Sequence, residues 1–281
     1  MVPRLRALAL VSVALAAGCG DELTLRLLEP EPGSASSGGS GGAASGDATG
    51  NRGAAAGAPS LAADALIHRY DFEGAGSAVV DRVGEADGLL EGGAELDRQG
   101  GAVLDGSNDF VSLPPGLISG LDAVTLLAWL TWNDSPCWQR VFDFGSQIAG
   151  SEGLLVAGTS LFLAPEGCGT NRMVASIELP NFERYAIEAA EGLPSGRPLV
   201  TGVVVDPGAA ELALVLEGQV IERRAMPRLL SDIDDVNGWL GRSQYENDRF
   251  LNARVEEFRV YSRALTEAEL LATFEAGPGA P

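Results

Sequence analysis

From residue 64 to the end of the chain, apolar and β-branched residues gather in short runs, each closed by Gly, Pro, Asp or Asn. The runs are 66–72, 102–113, 124–132, 141–144, 154–163, 173–179, 199–206, 212–216, 220–224, 239–243 and 254–261. Successive side chains on a strand face opposite ways, so runs of this length between turn residues predict strands. Glu217-Gly218, between ELALVL and QVIE, predicts a tight hairpin. Helical periodicity is almost absent until the end of the chain. There, Thr266 with Glu269 three residues on forms a capping box, and Leu265 and Leu270 stand at the staple positions. The pattern predicts one all-β domain of ordinary size, a sandwich or jelly roll closed by a short surface helix. There is no internal repeat.

Composition removes much chemistry. Arginine supplies all 19 basic residues against 39 acidic ones, a net charge of −20, and the chain has one histidine, His68. A single histidine cannot build a His-rich zinc or two-His iron centre. Without lysine there is no Schiff base, Ser-Lys pair or P-loop. A Ser-His-Asp triad would run through His68, and nothing near it resembles a nucleophile elbow; His68 is expected to be structural. Strong negative charge argues against nucleic acid, and predicts weak affinity for anionic glycans and anionic lipid head groups.

The N-terminal 63 residues read differently. Arg4 and Arg6 precede an 11-residue apolar run, 7–17, too short for the roughly 20 residues that span a bilayer. It ends in Leu15-Ala16-Ala17-Gly18-Cys19, which resembles a bacterial lipobox, with Ala16 where Leu is commoner. Residues 1–18 are thus expected to be a signal peptide, with Cys19 lipidated and the protein in the bacterial cell envelope, touching the membrane through that lipid only. In residues 33–60, 23 of 28 are Gly, Ser or Ala, which predicts that 19–63 form a flexible tether.

The body carries a specific likeness. Trp239-Leu-Gly-Arg-Ser-Gln-Tyr followed by Phe250-Leu-Asn-Ala-Arg-Val-Glu-Glu-Phe-Arg-Val-Tyr-Ser-Arg-Ala-Leu-Thr resembles the C-terminal signature of laminin-G-like, concanavalin-A-like jelly rolls. Three earlier segments fit the same family in order: Tyr70-Asp-Phe-Glu-Gly with Val80-Asp81, Val103-Leu-Asp-Gly with Asp109-Phe-Val, and Trp138-Gln-Arg-Val-Phe-Asp-Phe-Gly. Departures are Pro198-Leu-Val-Thr-Gly-Val-Val-Val, without the family's Trp and His, and Glu256-Glu257 where Asp-Glu is commoner. The resemblance implies a concanavalin-A-like sandwich of two antiparallel sheets over 64–281, and a structural calcium held by Glu73, Asp105 and Glu256, with Asp109 assisting. Calcium takes six to eight oxygen ligands. Strict alternation puts Glu256 on the Phe258–Val260 face; if that face is core, Glu256 needs a partner, either the ion or an arginine, unless it sits at a solvated sheet end.

The β-glucan-cleaving relatives carry Glu-x-Asp-x-x-Glu on one strand. The nearest match, Glu95-Leu-Asp97-Arg-Gln-Gly100, lacks the last Glu, and Asp232-Ile-Asp234-Asp235 lacks the spacing. With Cys19 set aside, Cys137 and Cys168 are an even remainder in an exported protein and are expected to form a disulfide, with free thiols the alternative. Trp129 lies in a wholly apolar run and is expected in the core, and Trp239 is expected to pack. Trp138 and Tyr245 flank loops bearing Arg140, Gln244, Asn247, Asp248 and Arg249. A ligand site is therefore expected at Trp138, Arg140, Gln244, Tyr245 and Asp248. The expected function is a non-catalytic, surface-displayed module that binds a carbohydrate or a protein. The alternatives are a hydrolase or lyase whose carboxylates converge only in the fold, and a purely structural domain.

Overall fold

The computed structural model describes residues 62–134, 136–147, 157–180 and 183–280. All of them lie in one compact unit. The segment expected to be a signal peptide, nearly all of the expected tether and Cys19 lie outside the described residues.

Among the described residues, sixteen strands make two antiparallel sheets of eight. The first sheet runs β14 (Gln219–Ala225), β13 (Glu211–Leu216), β12 (Pro198–Asp206), β7 (Val124–Trp132), β16 (Asn252–Tyr261), β5 (Ala102–Asp105), β4 (Glu95–Leu96). The opening strand β1 (Leu66–Tyr70) pairs with the second half of β16, so the two ends of the domain meet in one ladder. The second sheet runs β11 (Glu183–Glu188), β10 (Val174–Leu179), β9 (Ala157–Ala164), β8 (Phe142–Gln147), β15 (Asn237–Leu240), β6 (Phe110–Leu113), β3 (Gly88–Glu91), β2 (Ala78–Val79).

The inner faces of the sheets enclose the core. Phe142 and Phe144 of one sheet meet Phe258 of the other, with ring centres 5.9 and 6.2 Å apart. Around them pack Tyr70, Leu104, Leu126, Leu130, Leu161, Leu163, Val203 and Val260, all essentially inaccessible. A second apolar layer covers the outer face of the first sheet. Leu127, Trp129, Val200, Val204, Val215 and Tyr261 are buried there with Ala62, Ala65, Leu265 and Leu270. Trp129 is thus buried as expected, but beneath the helix rather than between the sheets.

That helix, α1 (Glu267–Ala276), is built as its sequence predicts. Thr266 Oγ1 accepts from Glu269 N at 3.3 Å, and Thr266 N donates to Glu269 Oε2 at 2.9 Å. Arg263 donates to both oxygens of Glu269 and, as the main cause, brings its carboxyl down to about 2. The predicted hairpin also forms. Glu217 and Gly218 have φ of 49° and 75°, the primed turn that matches strand twist, and a Cβ on Gly218 would lie 2.7 Å from Phe274 of α1.

Two expectations need correction. The run 102–113 is not one strand: β5 and β6 lie in different sheets, joined by a turn in which Gly106 takes φ +81°. And β16 does not alternate strictly. A bulge between Val255 and Glu257 shifts its phase, so Ala253 and Val255 face the core before it and Phe258 and Val260 after it. Glu256 therefore is not a core-facing carboxylate; it is partly exposed and accepts from Arg254 Nη1 at 2.5 Å. The buried acid is its neighbour Glu257, 1% exposed on the outer face.

Candidate functional site

Alternation on β9 sends Leu161 and Leu163 into the core and Ser160, Phe162 and Ala164 to the far side of the second sheet. Register carries this outer face across the neighbouring strands, with Asp143 opposite Phe162, Phe162 opposite Ser176, and Glu178 opposite both Ser160 and Arg184. Two connecting segments fold over it, residues 136–140 and 241–251. Between them lies a cavity of about 250 Å³, lined by Trp138, Arg140, Phe162, Glu178, Arg184, Tyr245 and Asp248.

Trp138 is held in an unfavourable conformation. Its φ is +62°, a region costly for a bulky side chain. Several contacts over-determine it: its N–H donates to Glu166 O at 2.9 Å, its carbonyl accepts from Arg140 Nη1 at 3.0 Å, and the adjacent Cys137 is disulfide-bonded to Cys168. The indole has the Arg140 and Arg184 guanidinium carbons 5.5 and 6.0 Å from its ring centre. Arg140 is only 2% exposed, its guanidinium carbon 4.0 Å from the Phe162 ring centre, and it donates to Asp248 Oδ2 at 2.7 Å. Asp248 also accepts from Ser243 Oγ at 2.8 Å. Glu178 pairs with Arg184 at 3.1 Å and accepts from the Tyr245 hydroxyl.

Four of the five expected ligand residues, Trp138, Arg140, Tyr245 and Asp248, thus line one cavity. Gln244 does not. It is 2% exposed, accepts from Asn237 Nδ2 at 3.1 Å, and its backbone N–H donates to Asp143 Oδ2 at 3.0 Å. Its work is to fasten the upper loop to the sheet. Phe162, Glu178 and Arg184 were not singled out by the sequence. Their signal is alternation within strands, which becomes a site only once the register of β9, β10 and β11 is known.

Asp143 lies beneath this site. It is fully buried and accepts from Ser160 Oγ at 2.6 Å, while Arg140 Nε stands 3.4 Å away without a hydrogen bond. Burial pushes its carboxyl up to about 6, against the pull of Arg140.

The expected calcium ligands do not gather. Glu73 and Glu256 line a separate cavity of about 360 Å³ with Arg69, Asp71, Gln99, Gly100, Arg254 and Glu257. Asp105 lies at the opposite end of β5, exposed and opposite Asn252, accepting from Ser107 N at 2.7 Å; Asp109 accepts from Asp105 N at 3.1 Å. No group of three side chains able to hold a metal occurs among the described residues. A cation already stands at this corner. Arg254 donates to Asp97 Oδ2 and Glu256 Oε1, both at 2.5 Å, and to the carbonyls of Gln99 and Gly100 at 3.2 and 3.3 Å. A calcium ion held by Glu256 would have to displace this guanidinium, so the donor set does not fit the ion. His68 Nδ1 lies 2.6 Å from Asp81 Oδ2.

The fold agrees with the comparisons. A family model described as the concanavalin A-like lectin/glucanases superfamily, laminin-G type, matches residues 105–271. The chain belongs to this superfamily. Among solved structures it is similar to domain 4 of an extracellular arabinanase from Geobacillus stearothermophilus in complex with arabinotriose, at 18% identity and TM-score 0.59, covering 74% of this chain and 98% of that one. It is also similar to the ligand-binding domain of botulinum neurotoxin serotype D in complex with N-acetylneuraminic acid (13% identity, TM-score 0.58, 78% and 53% covered). A sialidase of Trypanosoma rangeli follows, at 14% identity and TM-score 0.58, with 79% of this chain and 34% of the sialidase covered. The chain thus spans about half of the toxin domain and a third of the sialidase. At these identities the likeness is one of fold. No curated protein matches in sequence.

Proposed function

We propose that the domain binds a carbohydrate, without transforming it, in the cavity between Trp138 and Tyr245. The observation that carries this reading is the indole of Trp138, fixed at φ +62° beside a ring of paired polar groups over the floor of Phe162. A sugar offers an apolar C–H face and a rim of hydroxyls. An aromatic face with a few convergent donors and acceptors suits both. Supporting it, the arabinanase domain and the neurotoxin domain that share the fold were solved with arabinotriose and N-acetylneuraminic acid.

The non-catalytic part rests on how the carboxylates are engaged. Glu178 and Asp248 are each tied to an arginine, and Asp143 lies under Gln244 and Ser160 rather than on the cavity wall. A glycosidase needs one carboxyl free to give up a proton and another free to attack or to activate water.

The test is a glycan array probed with the full chain, in calcium and in EDTA, followed by incubation with each hit and chromatography. Binding that falls at least about tenfold in Trp138→Ala, in a variant that keeps its near-ultraviolet circular dichroism, supports the site. A folded protein that binds no glycan in either condition overturns the reading in favour of a protein partner, and release of a smaller sugar overturns the non-catalytic part. Display through a lipid on Cys19 belongs to the same proposal; loss of membrane association in Cys19→Ala is expected, and unchanged association would refute it.

A further inference from the structure

A second cavity of about 250 Å³ adjoins the first and shares Tyr245 and Asp248 with it. Its other walls are Arg242, Ser243, Glu246, Arg249 and Phe250. Arg242 is the unusual member. Its guanidinium carbon sits 4.8 Å from the ring centre of Phe110 and 4.2 Å from that of Trp239, and those rings meet edge-on at 6.0 Å. Sheet register accounts for the platform. Trp239 lies opposite Ser112, two residues along β6 from Phe110 on the same face, and Phe250 joins Phe110 at 6.2 Å.

Partly buried, Arg242 donates to no carboxylate or carbonyl among the described residues, whereas its neighbours Arg140 and Arg184 are each paired. Desolvation lowers its pKa, opposed only at range by Glu246 and Glu91. Partial burial makes the charge costlier, stacking offsets only part of that cost, and the guanidinium nitrogens, still within reach of water, remain open to an acceptor. A guanidinium held against two rings also keeps its planar N–H fork in a fixed orientation, the geometry that takes a carboxylate through two parallel bonds.

We propose that this second cavity receives the carboxylate of an acidic sugar, on Arg242, next to a sugar unit bound at Trp138. The inference rests on the carbohydrate reading and extends it. Phe250 and Tyr245 supply apolar surface for the ring, and Arg249 adds a second positive charge. Asp248 does not oppose the ligand strongly, because Arg140 and Ser243 already engage it at 2.7 and 2.8 Å; exposed Glu246 remains the one unpaired acid on the wall. The chain's net charge of −20 repels anions at range, but screening over about 8 Å at physiological salt leaves contact with Arg242 to decide.

The experiment is calorimetric titration of the full chain at 0.15 M salt with matched probes. These are digalacturonic acid and sialyllactose, each against its own carboxyl-reduced form. At least one acid is expected to bind about tenfold more tightly than its reduced counterpart, the size of one charge-assisted contact. Arg242→Met, which keeps an apolar stem between Phe110 and Trp239, is expected to bring that ratio close to one. Arg242→Lys, with charge but no fork, is expected to fall between. Equal affinity within both pairs, or a ratio that survives Arg242→Met in a folded variant, overturns the proposal. If the reduced sugars bind and the acids gain nothing, this inference falls while the Trp138 site stands. If no array glycan and no probe binds, both fall.

Discussion

Glutamate 257 allows a sharp test of how the outer face of the first sheet is held. Its carboxylate, 1% exposed, accepts from Arg259 Nε, from Arg69 Nη2 at 3.0 Å and from Gly279 N at 2.8 Å. Arg259 is wholly buried, its guanidinium carbon 4.7 Å from the Trp129 ring centre, and it donates to Tyr261 Oη at 3.3 Å and Ala280 O at 2.8 Å. Glu257→Ala leaves Arg259 with those two contacts and no hydrogen-bonded counter-charge, frees the Gly279 amide, and takes from Arg69 its hydrogen-bonded carboxylate, with Asp71 and Glu73 left to act at longer range. Breaking one side of a buried pair costs about 3–5 kcal/mol, a large share of the roughly 5–15 kcal/mol that holds a domain together. For a domain of this size that is a fall in Tm of roughly 6–20 °C. Urea unfolding followed by tryptophan fluorescence measures it, since Trp129 reports on the site directly. A double variant separates charge from packing. Glu257→Leu with Arg259→Met removes both members of the central pair, and should lose much less than the single change. A loss below about 1 kcal/mol in Glu257→Ala, or a double variant no better than the single one, would refute the reasoning.

Two further outcomes are expected. With its carboxyl raised to about 6 by burial, against about 3.9 unfolded, Asp143 keeps its proton in the native state between these values while the unfolded chain has released it. Its contribution to stability is therefore full below pH 4 and declines as pH rises through 6, by on the order of 2–3 kcal/mol. Asp143→Asn should remove this decline; urea midpoints at pH 4, 5, 6 and 7, taken as the difference between the two proteins, measure it, and parallel curves would contradict it. Because Arg254 supplies the positive charge at the corner of Glu73 and Glu256, chelation should leave the Tm of the wild-type chain unchanged. Arg254→Ala should cost about 1–2 kcal/mol with or without calcium. A Tm that rises in millimolar calcium would place an ion in the native fold and defeat this account.

How much of this was legible beforehand depended on the range of the signal. β7, β13 and the hairpin at Glu217-Gly218 are read from a few adjacent residues, because alternation, β-branching and turn preference act locally. So is the capping box of Thr266 and Glu269. The short strands β2, β3 and β4 and the polar β11 escaped, since two to six residues of mixed character carry little periodicity and take their conformation from a neighbouring strand. The bulge in β16 escaped for a related reason. It exchanges the roles of Glu256 and Glu257, and nothing in Arg-Val-Glu-Glu-Phe says where the alternation slips.

By itself, then, the sequence determined the fold class, the family likeness, the excluded chemistries and four residues of one cavity. Trp138, Arg140, Tyr245 and Asp248 were legible because they sit on loops, where an aromatic or paired charge has no packing reason to be. Tertiary structure alone decided that Phe162, Glu178 and Arg184 join them, that Gln244 turns inward, that Arg254 stands where calcium was expected, and that Arg242 is stacked without an acceptor among the described residues. Each of these depends on which strands lie side by side and in what register. That is set by the packing of the two inner faces, a property of the whole chain rather than of any short segment of it.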